Sequence, residues 1–252
     1  MREQSFHTPE PVELEVKIPA GEIEVETVGG DESSVVLEGA DKLLEQTRVE
    51  LVGNRLRVEL ETKGPFGLQI QIGDWSFGRA GLRVVARVPH ASRADLASVS
   101  ADVHLRGSFA SLSSKTTSGD LFVVGEVAED VTIKTVSGDA QLGAVGGALT
   151  VQSVSGDASA TSVGGDVNAK FVSGDLRLDA ARAGHVTVQS ISGDIEIGVA
   201  PGTNLDVDAG SVSGDLSSEV PLGSDAGSLG DGPTLVVRGK TVSGDFKVFR
   251  AA

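Results

Sequence analysis

Val136-Ser137-Gly138-Asp139, Val154-Ser155-Gly156-Asp157 and Val172-Ser173-Gly174-Asp175 are one phrase repeated three times, 18 residues apart. The same Ser-Gly-Asp core recurs at Ser118-Gly119-Asp120, Ser192-Gly193-Asp194, Ser213-Gly214-Asp215 and Ser243-Gly244-Asp245. That makes seven copies, with Ser100-Ala101-Asp102 as an eighth, degenerate one. From Ser100 onward the intervals are 18, 19, 18, 18, 19, 21 and 30 residues. A short period held this closely marks a solenoid, in which each repeat is a rung that buries its apolar face only against its neighbours.

Numbering each rung from its Ser as zero brings out the apolar columns. Position −6 holds Leu112, Val131, Leu149, Val167 and Val186, and −4 holds Ile133, Val151, Ala169 and Val188. Position +3 holds Val103, Leu121, Ala140, Ala158, Leu176, Ile195, Leu216 and Phe246, and +5 follows in the same way. These alternate in period two, as short strands with one buried face do. Position −1 is also apolar, with Val99, Val136, Val154, Val172, Ile191, Val212 and Val242, and Thr117 as the exception. Counting it as buried puts a break of parity between −4 and −1, and hence a bend near the motif. Gly at +1 permits the positive φ of such a bend, and Asp at +2 can accept bonds from nearby backbone amides.

A second glycine marker, as in Gly146-Gly147 and Gly164-Gly165, lies about nine residues further on. Each rung therefore reads strand, bend, strand, bend. The expected fold is all-β: a parallel β-solenoid (β-helix) of about eight 18–19-residue rungs, roughly 35–40 Å long at ~4.8 Å per rung. Residues 96–252 form the repeat and carry an insertion at 219–233, rich in Gly and Pro. Residues 1–95 lack the motif but alternate as strands, with Gly53-Asn54 as a hairpin turn and 40–46 as a possible helical turn. They read as an N-terminal β cap or irregular first rungs, which a solenoid needs to cover its open edge.

Composition narrows the function. Of 252 residues 33 are Gly, 8 Phe, one Trp and none Cys, which excludes a disulfide scaffold and thiol chemistry. A net charge of −15 argues against nucleic acid and anionic membranes as partners. The polar start Met1–Phe6 and the lack of an apolar run of ~18 residues argue against a leader and against membrane insertion. The chain as given is expected in the cytoplasm.

The recurring Val-Ser-Gly-Asp, the stretch Val16 to Val25 and the stretch Val84 to Pro89 resemble the bacterial β-strand-repeat family labelled "putative adhesin", a domain of unknown function. The resemblance spans about residues 10 to 249. It implies a β-solenoid with no known enzymatic activity, some members being linked to the cell envelope and its stress responses. The sequence as given is expected to depart from those members in lacking a signal or membrane anchor.

Four constellations could carry chemistry. The column Asp102, Asp120, Asp139, Asp157, Asp175, Asp194, Asp215 and Asp245 stacks like charges, which calls for turn capping or for shared cations such as calcium. The Gly-Gly-x-Gly-x-Asp pattern of calcium-binding β-rolls is absent. Lys115, Lys134, Gln152, Lys170 and Gln189 at −3 form a polar column, read as a solvated face, an offset to part of the Asp repulsion or a flat recognition stripe. The loop Gly64–Gly78 concentrates Phe66, Trp75 and Phe77, which either plug the core or contact a partner. His7, His90, His104 and His185 have no metal-ligand spacing, and no phosphate loop or nucleophile elbow is present. The reading is a non-enzymatic structural or adhesin-like scaffold without cofactor, acting through a protein partner or self-association. The alternative is a cation- or carbohydrate-binding solenoid that uses the Asp face.

Overall fold

The computed structural model describes residues 1–60, 81–220 and 232–251. Before the repeat come β1 (Arg2–His7), β2 (Glu13–Val28), β3 (Glu32–Glu38), a helical turn α1 (Asp41–Gln46), β4 (Thr47–Val52), β5 (Arg55–Leu60) and β6 (Leu82–Pro89). The long β7 (Ser92–Lys115) opens the repeat. It is followed by β8 (Leu121–Val127), β9 (Val131–Ser137), β10 (Ala140–Val145), β11 (Leu149–Ser155), β12 (Ala158–Val163), β13 (Val167–Ser173), β14 (Leu176–Ala181), β15 (Gly184–Gln189) and β16 (Ile195–Val199). The chain closes with β17 (Asn204–Ser213), β18 (Leu216–Ser218), β19 (Thr234–Ser243) and β20 (Phe246–Arg250).

The rungs stack as a parallel β-solenoid. Odd strands β9, β11, β13 and β15 pair in one row, and even strands β8, β10, β12, β14 and β16 in another. The two rows face each other across a core of Val, Leu, Ile and Ala. Equivalent residues pair directly, as Leu149 does with Val167 and Ala158 with Leu176. Neighbouring strands in this register lie ~4.8 Å apart.

The bend at the motif needs glycine for two reasons. Gly156 has φ +146°, a conformation that side chains disfavour. A Cβ there would also lie 2.3 Å from the Gly138 carbonyl oxygen of the rung before. The backbones of successive bends approach too closely for any side chain.

Two sequence expectations are corrected. Position −1 is not buried: Val99, Val136, Val154, Val172, Ile191 and Val242 are 46–54% exposed and Val212 83%. Nor does the parity break. The strand runs on in period two, so −6, −4 and −2 point inward and −5, −3 and −1 outward. The inward −2 residues are mostly hydroxyls, which hid them from a search for apolar columns. They are useful inside because the bend turns carbonyls toward them. Thr116, Thr135 and Thr241 donate to the carbonyls of Ser118, Ser137 and Ser243, and Ser153 donates to that of Gly156. In the Ser173 rung this place is taken by Phe171, 4% exposed.

The last two rungs are stacked out of sequence order. β19 lies between β15 and β17, and β20 between β16 and β18. Ser192 bridges to Ser243, not to Ser213. The chain therefore builds the Asn204–Ser218 rung first and then slots the C-terminal rung beneath it. The 30-residue interval accommodates that return. Core volume is balanced inside the inserted rung: Gly239 takes the −4 place, where a Cβ would lie 2.1 Å from the Phe246 ring.

At the other end β2 is itself a rung. Ala20, Gly21 and Glu22 align with Ser100, Ala101 and Asp102, and Gly21 has φ +130°. Beyond β2 the pattern changes. β5 and β6 continue it in parallel, and antiparallel β4, β3 and β1 then close the two rows. Gly53-Asn54 makes the hairpin turn between β4 and β5. Cross-strand ion pairs tie this layer together: Arg83 reaches Glu22 at 3.4 Å, Glu24 at 2.6 Å and Glu38 at 3.1 Å. No helix among the described residues is long and apolar enough to cross a membrane.

Candidate interaction surface

The Ser-Gly-Asp motifs form a hydrogen-bonded ladder along one edge of the solenoid. The amide of each Asp is held by the Oδ1 of the Asp one rung before. Asp120 donates to Asp102, Asp139 to Asp120, Asp157 to Asp139, Asp175 to Asp157 and Asp194 to Asp175, all at 2.7–3.0 Å. The ladder then follows space rather than sequence: Asp245 donates to Asp194, and Asp215 to Asp245. A carboxylate that accepts a backbone amide is stabilised in its charged form, which offsets the stacking of like charges. Asp130 and Asp166 make the same bond to Ala148 and His185 at the opposite bend.

Beside this ladder lies the outward face of the odd row. Its −3 column is Lys115, Lys134, Gln152, Lys170 and Gln189 and runs on to Lys240, all exposed. None of these lysines makes an ion pair with a described residue. The adjoining −1 column is the exposed aliphatic stripe. Uncharged hydroxyl and amide side chains Ser113, Thr132, Thr150, Asn168 and Thr187 complete the face at −5. The result is an array with one hydroxyl and amide column, one mixed Lys and Gln column and one aliphatic column, broken at Thr117, in register. Outward Val was read as core because residue type alone cannot tell a buried Val from an exposed one. The period-two count from −6 was the signal that could have found it.

Phe66, Trp75 and Phe77 lie outside the described residues, as do residues 221–231 of the insertion. Of the histidines, His104 stacks on Phe122 at 5.1 Å and His90 Nδ1 lies 3.0 Å from Thr27 Oγ1. No group of His, Asp or Glu among the described residues is arranged to hold a metal ion.

A cleft of about 480 Å³ opens where the cap meets the first rungs, between Ala94 and Leu112. Its three arginines are all paired: Arg55 with Glu13 at 2.9 Å, Arg57 with Glu15 at 2.9 Å and Arg93 with Glu129 at 3.2 Å, while Asp95 and Asp130 leave the lining acidic. Hydrogen bonds from Lys17 and then Arg57 hold the Glu15 carboxyl below its ordinary range, against the opposing effect of burial. Glu15 is thus shifted toward its charged form by cations, whereas a general acid would be pushed upward.

No curated protein matches the chain in sequence. Among solved structures it is similar to a "putative adhesin" of Bacteroides fragilis, at 15% identity and a TM-score of 0.54, over 98% of this chain and 96% of that one. It is also similar to "putative adhesins" of Parabacteroides merdae (11% identity, TM-score 0.46, 98% and 95% covered) and Parabacteroides distasonis (14%, 0.43, 98% and 97%). At such identities the likeness to the first shows the fold alone. The family model described as Toastrack DUF4097 matches residues 12–249, and the chain belongs to that family.

Proposed function

We propose that the protein is a non-enzymatic interaction scaffold of bacterial adhesin type, and that the flat face of the odd row is its working surface. The observation that carries this reading is the exposed aliphatic column. Five successive rungs, from Val136 through Val154, Val172 and Ile191 to Val242, present a half-exposed Val or Ile, at a cost in solvation, beside a column of Lys and Gln whose lysines make no ion pair with a described residue. Scattered surface Val would mean little, but contiguous apolar surface on a soluble chain marks a contact site. The name of the Bacteroides fragilis relative agrees with this reading. The Asp column is better read as bend chemistry than as a cation site, because one oxygen of each interior carboxylate already holds an amide.

The test is co-sedimentation of the purified chain with isolated bacterial envelopes. The wild type is expected to pellet. The combined variant Val136→Thr, Val154→Thr, Val172→Thr, which keeps the β-branched shape, is expected to stay in the supernatant while melting as the wild type does. Release of soluble sugar from the envelopes, or equal pelleting of both proteins, would refute the reading. A melting point raised by calcium and lowered by chelator would favour the cation-binding alternative.

A further inference from the structure

The exchange of the last two rungs leaves Asn204–Ser218 as the outermost rung, and that rung is unfinished. β17 pairs only with β19 and β18 only with β20 among the described residues. Its outer edge of backbone amides and carbonyls has no strand partner among the described residues. The +3 residue is at most 5% exposed in the other seven rungs, but Leu216 is 53% exposed. Leu205, Val207 and Ala209 are only half-buried where their counterparts are core. Asp215 is the one ladder carboxylate that accepts no amide, because no rung follows it among the described residues. A ten-residue edge strand with an apolar inner face is what soluble proteins ordinarily cover.

We infer that this rung is covered by the same rung of a second copy, so that two chains join open end to open end as a two-fold dimer. A head-to-tail filament fits poorly. Among the described residues the capped end is uneven, with two strands beyond β2 in one row (β5, β4) and three in the other (β6, β3, β1). The open end has β17 and β18 level in one rung. Two level ends meet across a two-fold axis, which makes the paired edges antiparallel and the contact self-complementary.

Side-chain parity then limits the register. Paired residues must share a face, so the axis passes through a residue. Centring it on Asp208 would oppose two like charges. Centring it on Ala209 sets Asp208 opposite Gly210 of the second copy, and Asp206 opposite Val212. Arg238 lies 3.3 Å from Asp206 and 3.9 Å from Asp208, which lowers the charge carried into the joint. The inner residues Val207, Ala209 and Ser211 continue the core across it. This inference does not depend on the role proposed for the aliphatic column.

Gly210 gives a clean test, because no atom lies within 4 Å of the place its Cβ would take. Analytical ultracentrifugation of the full chain is expected to show a monomer–dimer equilibrium. Gly210→Asp sets a carboxylate against Asp208 of the second copy and should weaken the dimer at least ~10-fold, given the cost of opposed like charges. Gly210→Lys should tighten it, and both variants should melt as the wild type does at monomeric concentration. A strict monomer up to ~100 μM, the low-affinity range for a specific contact, would overturn the proposal. So would open-ended oligomers, or a dimer indifferent to both variants. A monomer whose 204–213 amides exchange as slowly as interior ones would show that the chain covers its own end.

Discussion

Leu176 and Leu216 occupy the same place in the same motif, yet one is 1% and the other 53% exposed. Leu176 sits in a rung with neighbours on both sides, and Leu216 in a rung with one. The difference shows that burial in this molecule belongs to the stack and not to the repeat. A Val-Ser-Gly-Asp rung carries the instructions for a bend and two strands, but its apolar face is covered only by the rungs above and below.

The largest test of that contrast is paired truncation. Leu176→Ala should cost about 2–5 kcal/mol of stability, as buried Leu truncations do, and Leu216→Ala less than ~1 kcal/mol. Chemical denaturation at monomeric concentration measures both, and equal losses would break the comparison.

The Asp ladder gives the next effect. Asp157 Oδ1 accepts the Asp175 amide at 2.8 Å, whereas the Asp215 carboxylate accepts none. Asp157→Ala is expected to cost about 1–2 kcal/mol by the value of a charge-assisted bond, and Asp215→Ala close to nothing. A similar cost at both positions would show that the carboxylates act through charge and not through the ladder.

A smaller contrast lies inside the hydroxyl column. Thr135 donates to Ser137, so Thr135→Val should cost ~1 kcal/mol by leaving that carbonyl without its partner. Ser190, one rung beyond Phe171, is buried with no partner for its hydroxyl. Ser190→Ala should therefore be neutral or slightly stabilising in the same melt.

The smallest effect concerns the capped end. Glu24 is held below the ordinary carboxylate range, chiefly by the hydrogen bond from Arg83. A lowered folded-state pKa adds stability that is complete above the unfolded value and is lost as the pH falls through the folded one. Arg83→Met should move the Glu24 titration upward in an NMR pH series and soften the acid limb of stability. An unmoved titration would remove Arg83 as the cause.

Much of the fold was legible because the motif is periodic. Ser-Gly-Asp spacing located the bends, and the apolar alternation at −6, −4, +3 and +5 located the strands. The bends follow from residues 118 to 245 themselves, since only Gly fits between stacked backbones and only a short carboxylate reaches the next amide. What stayed hidden has physical reasons. Val at −1 and Thr at −2 trade the places their polarity suggests, because the bend offers carbonyls to the inside of the strand. The first rung was masked by Ala20 and Glu22, which replace Ser and Asp while Ile18, Ile23 and Val25 keep the rung's spacing. The exchanged order of the last rungs has no local signal, since each matches either neighbour. The 30-residue interval was its only trace.

That exchanged order decides which rung is outermost. A cysteine-free chain allows it to be tested directly. Stacked parallel neighbours place equivalent Cα atoms ~4.8 Å apart, within the reach of a disulfide, while a rung further on lies near ~10 Å and out of reach. The double variant Ser192→Cys with Ser243→Cys should oxidise to an intramolecular cross-link, and Ser192→Cys with Ser213→Cys should not. The reverse result would mean that the rungs stack in sequence order and that the Ser243 rung ends the solenoid.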